Sequence, residues 1–362
     1  MKKTKIAVTD SVSVGRDAPT ALNVLIGAND AAGYCTQLEK LDAITASKLP
    51  VAIVTDLSLY KPEKGKELWR KISRADTFIA GTVPVYQAVR PDHTISPEAL
   101  LDLIREQAEN GVKIITIHPT PDRRLLELSR TRCIPITSRG GGVVCWDMLA
   151  SRRKENIYIK ILDEILDTAR KNQVTLSIGS SFRSAALKDA MDQAYLTELE
   201  RQIEIASYCR SRGVNVILET PGHASPQHIF EICRELNARA PFPIMPLGPL
   251  PTDCAFEQDD MAACIGAVLM GTHGCADILS VVTAQEHTGG IPTIASTLSA
   301  LKKYAVAKHI IDIYKLGDTE IDNSVSQKRR QHLSCAAGSD MECSRCGNLC
   351  PFRFSYLSEI EI

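Results

Sequence analysis

From residue 50 onward, short runs rich in β-branched and apolar residues alternate with longer segments in which apolar residues recur at helical spacing. This alternation predicts βα units wrapped on a parallel sheet. The runs VAIVTD (51–56), TFIAGTV (77–83), KIITIH (113–118), CIPITS (133–138), TLSIGS (175–180), NVILET (215–220), PIMPL (243–247) and ILSVVT (278–283) give eight strands. The intervening stretches read as helices, and 96–111 opens with Ser96 and Pro97, the residue types favoured at an N-cap and in a first turn. Eight such units over 50–321 match a (β/α)8 TIM barrel, an α/β fold of about this length. A doubly wound open sheet is the competing architecture, and no G-x-G-x-x-G follows a strand to favour it. Residues 1–49 read as a preface to the barrel. Residues 322–362 are polar, rich in cysteine and without period, so they read as an appendage that needs a ligand or partner to be ordered.

Composition narrows the function. With 42 basic and 43 acidic residues among 362 there is no global field to hold a nucleic acid, which favours a small-molecule partner. No apolar run approaches the length of a membrane span and the N-terminus shows no secretory pattern, so a cytoplasmic protein is expected. Twelve cysteines are then an excess of thiols rather than a disulfide framework.

Working residues of such barrels lie at the C-terminal ends of strands. In the order of the predicted strands, these ends carry Tyr86, His118, Ser138 with Arg139 and Gly140, Arg183, Glu219 with His223, Asp253, and His287. The Ser-Arg-Gly-Gly-Gly run offers a guanidinium and successive backbone N–H groups to a phosphate, although glycines after a strand also serve tight turns. His223 and His287 form a plausible two-imidazole metal site with Glu219 nearby, or two separate structural histidines. Cys343, Cys346 and Cys350, spaced C-x2-C-x3-C, supply three thiolates. That number leaves one iron of a [4Fe–4S] cluster open for S-adenosylmethionine, or, with Cys335 or His332 added, closes a structural zinc site.

Taken in order, GTVPVYQA, TIHPT, SRGGG, ETPGH, PLGPLPTD, AQEH and the cysteine-rich C-terminus resemble the ThiC-like radical S-adenosylmethionine enzymes. These are the phosphomethylpyrimidine synthases and the related 5-hydroxybenzimidazole synthases. The resemblance implies a barrel with a cluster-binding arm and 5-aminoimidazole ribotide as substrate. It also implies an electron donor such as flavodoxin or ferredoxin, and a homodimer or a heterodimer with a paralogue. By position it assigns Tyr86, His118, Ser138, Arg139, Gly140, Arg183, Glu219 and His273 to substrate, His223 and His287 to Zn2+ or another divalent metal, and Cys343, Cys346 and Cys350 to the cluster. Departures from the pyrimidine enzymes are Leu25 for Asn, Thr55 for Met, Ser180-Ser181-Phe182-Arg183 for Asp-Gly-Leu-Arg, Thr272-His273-Gly274 for Trp-Tyr-Gly, a shorter cysteine spacing and a shorter N-terminal region. These departures give 5-hydroxybenzimidazole as the expected product, with the phosphomethylpyrimidine as the alternative. A non-catalytic partner subunit and a zinc-dependent barrel hydrolase are further alternatives.

Overall fold

The computed structural model describes residues 4–336 and 343–353. The chain divides into two units, Met1–Lys315 and Leu316–Ile362. The first holds eight strands: β1 (Ala21–Ile26), β2 (Val51–Asp56), β3 (Ile79–Thr82), β4 (Ile114–Ile117), β5 (Thr175–Ile178), β6 (Val216–Glu219), β7 (Ile244–Met245) and β8 (Ile278–Ser280). All pairings are parallel and run in chain order from β1 to β7, and β8 pairs back onto β1. A further parallel bridge, Leu247 to Ser280, draws β7 and β8 together and nearly closes the (β/α)8 barrel.

Two layers fill its interior. At the end where the strands begin, Ala21, Ile53, Ile79, Ile114, Ile217 and Ile278 pack with Ile6, Val8 and Val14, so the N-terminal hairpin of Lys5–Ala7 and Ser13–Gly15 plugs that end. The next layer is polar. Thr55 Oγ1 donates to Asn23 Oδ1 (2.8 Å), Asn23 Nδ2 donates to Ser280 Oγ (3.3 Å), and Thr116 and Ser177 donate to Glu219 Oε1 (3.3 Å each). Burying polar groups is tolerable only when they are paired, and these pair with one another across the barrel axis. A hydrophilic floor therefore lies beneath the open end.

One expected strand is replaced. Residues 133–138 do not pair with the sheet, and β1 at 21–26, within the expected preface, joins it instead. The physical reason is a tether: the backbone N–H groups of Cys133 and Ile134 donate to the Asp189 carboxylate (3.1 and 3.2 Å), and Pro135 has no N–H to offer a ladder. The long connection from β4 to β5 thus carries four helices, Arg123–Ser129, Arg139–Ala150, the single turn Ile157–Lys160, and Leu162–Asn172. The barrel sheet begins at Ala21 rather than near residue 50. Helix starts follow the sequence signals: Ser96 Oγ accepts from Ala99 N with Pro97 in the first turn of Pro97–Glu109.

The second unit, taken by itself, contains the helix Glu320–Gln331 and two short 3-10 turns, Gly347–Leu349 and Pro351–Arg353. Among the described residues no helix is long and apolar enough to cross a membrane.

Candidate active site

Above the polar floor lies a cavity of about 460 Å3, lined by Tyr86, His118, Ser138, Arg139, Arg183 and Glu219 together with Asn23, Leu25, Thr55, Lys40 and Glu286. Six residues expected from sequence thus meet in one place. Their anchoring explains why. Ser138 is the N-cap of Arg139–Ala150, accepting from Gly141 N through Oγ (3.1 Å), and the same hydroxyl lies 2.9 Å from His118 Nε2. The first N–H groups of that helix have no intrahelical acceptor and the helix dipole is positive there, so its start suits an anion.

His118 sits between two glycines. A Cβ on Gly140 would come within 2.4 Å of its Cε1, and one on Gly179 within 2.6 Å of its Cδ2. Burial, aided by the Arg183 charge, pushes its pKa down to about 3, so the ring is neutral. Its buried Nδ1 has no protein partner, which leaves it open to a ligand. Arg139 lies over the Tyr86 ring at 4.2 Å and donates to Leu57 O (3.1 Å), while Arg183 donates to Ser180 O (2.7 Å). Burial raises the pKa of Glu219, opposed by Arg183 and by the Thr116 and Ser177 hydrogen bonds.

Sequence reasoning missed three contributors. Lys40 is buried, its ammonium donating to Pro292 O (2.5 Å), and burial lowers its pKa. Together with Arg139 and Arg183 it sets three cationic side chains against Glu219 and Glu286, a balance that favours an anionic occupant. Glu198 is buried beneath the loop after β5, where it accepts from Thr120 Oγ1 (2.6 Å), Ser180 Oγ (3.0 Å), Ser181 N (2.6 Å) and Phe182 N (2.7 Å). It fixes the loop that presents Arg183. Nothing marks it in the sequence, because its position in Gln193–Ser211 looks like any acidic residue of a helix.

His223 and His287 stand together, their ring centroids 4.9 Å apart and their planes at 74°. They come from the segments after β6 and β8, and His287 directly follows the cavity residue Glu286. Each Nδ1 contacts a carboxylate, His223 to Asp253 (2.7 Å) and His287 to Asp259 (2.8 Å). Asp259 is the third contributor the sequence did not reveal.

His273 is elsewhere. It follows the helix Asp259–Gly271 on the approach to β8, at the end of the barrel where strands begin, with its ring tilted against Phe230 (4.7 Å) and Nδ1 2.9 Å from Leu269 O. A residue between a helix and the next strand lies opposite the catalytic face, so His273, expected at the substrate, is not among the residues that line the cavity. The Thr272-His273-Gly274 departure is likewise outside the cavity, and Ser180 is occupied by Glu198. Leu25 and Thr55 do line it.

In the second unit Cys343, Cys346 and Cys350 are free thiols. Cys346 precedes the turn Gly347–Leu349 and accepts from Leu349 N (3.0 Å). The described residues contain no preassembled group of three or more His, Cys, Asp or Glu for a metal. What the three cysteines offer is three soft ligands close in sequence, the donor type iron–sulfur clusters take.

The radical SAM ThiC family model matches residues 1–336. A phosphomethylpyrimidine synthase of Thermodesulfovibrio yellowstonii is 31% identical over 379 residues, covering 95% of this chain and 87% of the relative. One of Archaeoglobus fulgidus is 30% identical, covering 94% and 85%, and one of Clostridium tetani is 30% identical, covering 94% and 79%.

Proposed function

Because this chain belongs to the radical SAM ThiC family, we propose that it rearranges 5-aminoimidazole ribotide into the phosphorylated pyrimidine for which its relatives are named. The supporting observation is the convergence of Ser138, Arg139, Arg183, Tyr86, His118 and Glu219 on one cavity. The family uses a [4Fe–4S] cluster and S-adenosylmethionine, and therefore a reductant. When bound, the cluster supplies the electron that cleaves S-adenosylmethionine to a 5′-deoxyadenosyl radical.

In this reading the phosphate lies at the start of Arg139–Ala150, against the N–H groups near Gly140 and the guanidinium of Arg139. Stacking on Tyr86 holds that guanidinium in place. His118, neutral and with Nδ1 unused by the protein, donates or accepts one hydrogen bond to the ribose or ring. Glu219, between Arg183 and the two hydroxyls below it, accepts from the exocyclic amine or a ribose hydroxyl. Together these contacts hold one C–H bond in reach, which is the main contribution a protein makes when a cofactor carries the reaction. Cys343, Cys346 and Cys350 would hold the cluster. His223 and His287 would hold Zn2+ or another divalent ion, since both Nε2 atoms are left free by the Nδ1 contacts.

A second product reading, 5-hydroxybenzimidazole, draws on Leu25 and Thr55, the two departures that line the cavity. Two of the other departures, at Ser180 and His273, give it no support, and overall length does not separate the readings, since this chain covers 87% of a pyrimidine synthase. Anaerobic incubation with 5-aminoimidazole ribotide, S-adenosylmethionine and dithionite, read by mass spectrometry, separates the two. Hydroxymethylpyrimidine phosphate is expected. Benzimidazole without pyrimidine would reverse the product assignment.

A further inference from the structure

The stretch from Leu250 to Asp259, the first residue of the helix Asp259–Gly271, supplies no side chain to the cavity lining, yet it carries both carboxylates that touch the paired histidines. It lies between the elements bearing those histidines, as β7 lies between β6 and β8 in the barrel. A carboxylate only accepts, so each Nδ1 carries a ring proton and Nε2 is the nitrogen left to ligate. The two rings are thereby set in the same tautomer, 4.9 Å apart.

Resting on the divalent-metal reading of His223 and His287, we infer that Asp253 and Asp259 are positioning residues for that site, and that Asp259 is the stronger. A carboxylate on the far nitrogen fixes the orientation of a ligating imidazole and raises the basicity of the ligating one. The two carboxylates differ in surroundings. The Asp259 side chain is 2% exposed and its Oδ2 has no protein partner, so its charge acts on His287 with little screening. The Asp253 side chain is 42% exposed and also accepts from Leu187 N (3.3 and 3.0 Å to its two oxygens), so solvent and a backbone N–H share its charge. Two imidazole nitrogens with further positions open suit zinc, cobalt(II) or iron(II) over magnesium or calcium, which prefer oxygen.

The test is a cobalt(II) titration of the full, cluster-loaded chain, read by the ligand-field band and by chelator competition. Cobalt bound to nitrogen is distinguished there from cobalt on thiolate, which adds charge-transfer absorbance. Asp259→Asn is expected to weaken binding by about 10- to 100-fold and Asp253→Asn by less than about 10-fold. In metal-free protein, 15N shifts should place the proton of both rings on Nδ1, and Asp259→Asn should move His287 towards the Nε2–H tautomer. If Asp259→Asn binds cobalt like the wild type while His287→Ala does not, the metal reading stands and the positioning role falls. If His223→Ala and His287→Ala both bind undiminished, the metal reading falls as well. Should Asp259→Asn fail to fold, an Nε2–H tautomer at either ring in the wild type overturns the inference.

Discussion

The imidazole of His118 and the hydroxyl of Ser138 are 2.9 Å apart, and that contact joins the end of a barrel strand to the start of an inserted helix. The ring in that contact is neutral. In the folded chain the His118 pKa is about 3, against about 6.5 for an unperturbed histidine. Between those values the unfolded state binds the proton and the native state does not, so stability falls as pH drops from 6.5 towards 3. Chemical denaturation at pH 7 and pH 5 should show the wild type losing ~2 kcal/mol more than His118→Gln. Equal losses would mean the ring is protonated in the native state.

Gly140 and Gly142 lie two residues apart on the same helix and should behave in opposite ways. A Cβ at Gly140 enters the His118 ring, whereas at Gly142 the nearest atom is Ile136 Cγ2 at 3.9 Å. Gly140→Ala should cost about 1–3 kcal/mol and weaken ribotide binding, because the ring must move. Gly142→Ala should be neutral or stabilising by up to about 1 kcal/mol, since alanine is the better helix former. Thermal melts of the two variants decide it.

Glu198 accepts two donors on each carboxylate oxygen. In Glu198→Gln one oxygen becomes an NH2 group facing an N–H and a hydroxyl, leaving a buried donor unsatisfied. A loss of about 1–3 kcal/mol is expected in urea unfolding. Ribotide affinity should fall as well, because Arg183 leaves the same loop. Unchanged affinity at full folding would separate Glu198 from the site.

Much of this arrangement was legible in the sequence, and the exceptions have physical causes. Seven of the eight barrel strands appear as runs rich in β-branched and apolar residues, since a strand covered on both faces is mostly apolar outside the polar floor. The segment 133–138 has the same composition, but composition does not reveal that Asp189 takes its N–H groups. β1, as ALNVLI, is as strand-like as the others but precedes the regular alternation that marks the barrel. Tyr86, His118, Arg183 and Glu219 were found because strand ends point to the site. Glu198 and Asp259 were not, since a helix carries acidic residues for many reasons and only the fold shows which backbone or ring they meet.

In the tail, Cys346→Ser should abolish the visible absorbance of the reconstituted cluster and all cleavage of S-adenosylmethionine. The barrel should keep its melting temperature, because the cysteine belongs to the other unit. Full iron and sulfide content in that variant would remove Cys346 from the ligand set.

The central claim is that the cavity above the polar floor holds the ribotide while the radical acts on it. Its most direct test is the ratio of 5′-deoxyadenosine formed to ribotide consumed, measured anaerobically with wild type and Arg183→Gln. The account predicts 5′-deoxyadenosine that depends on ribotide and rises in fixed proportion to its loss, with Arg183→Gln raising the ribotide concentration required. Formation of 5′-deoxyadenosine at the same rate without ribotide, and no ribotide loss, would contradict it.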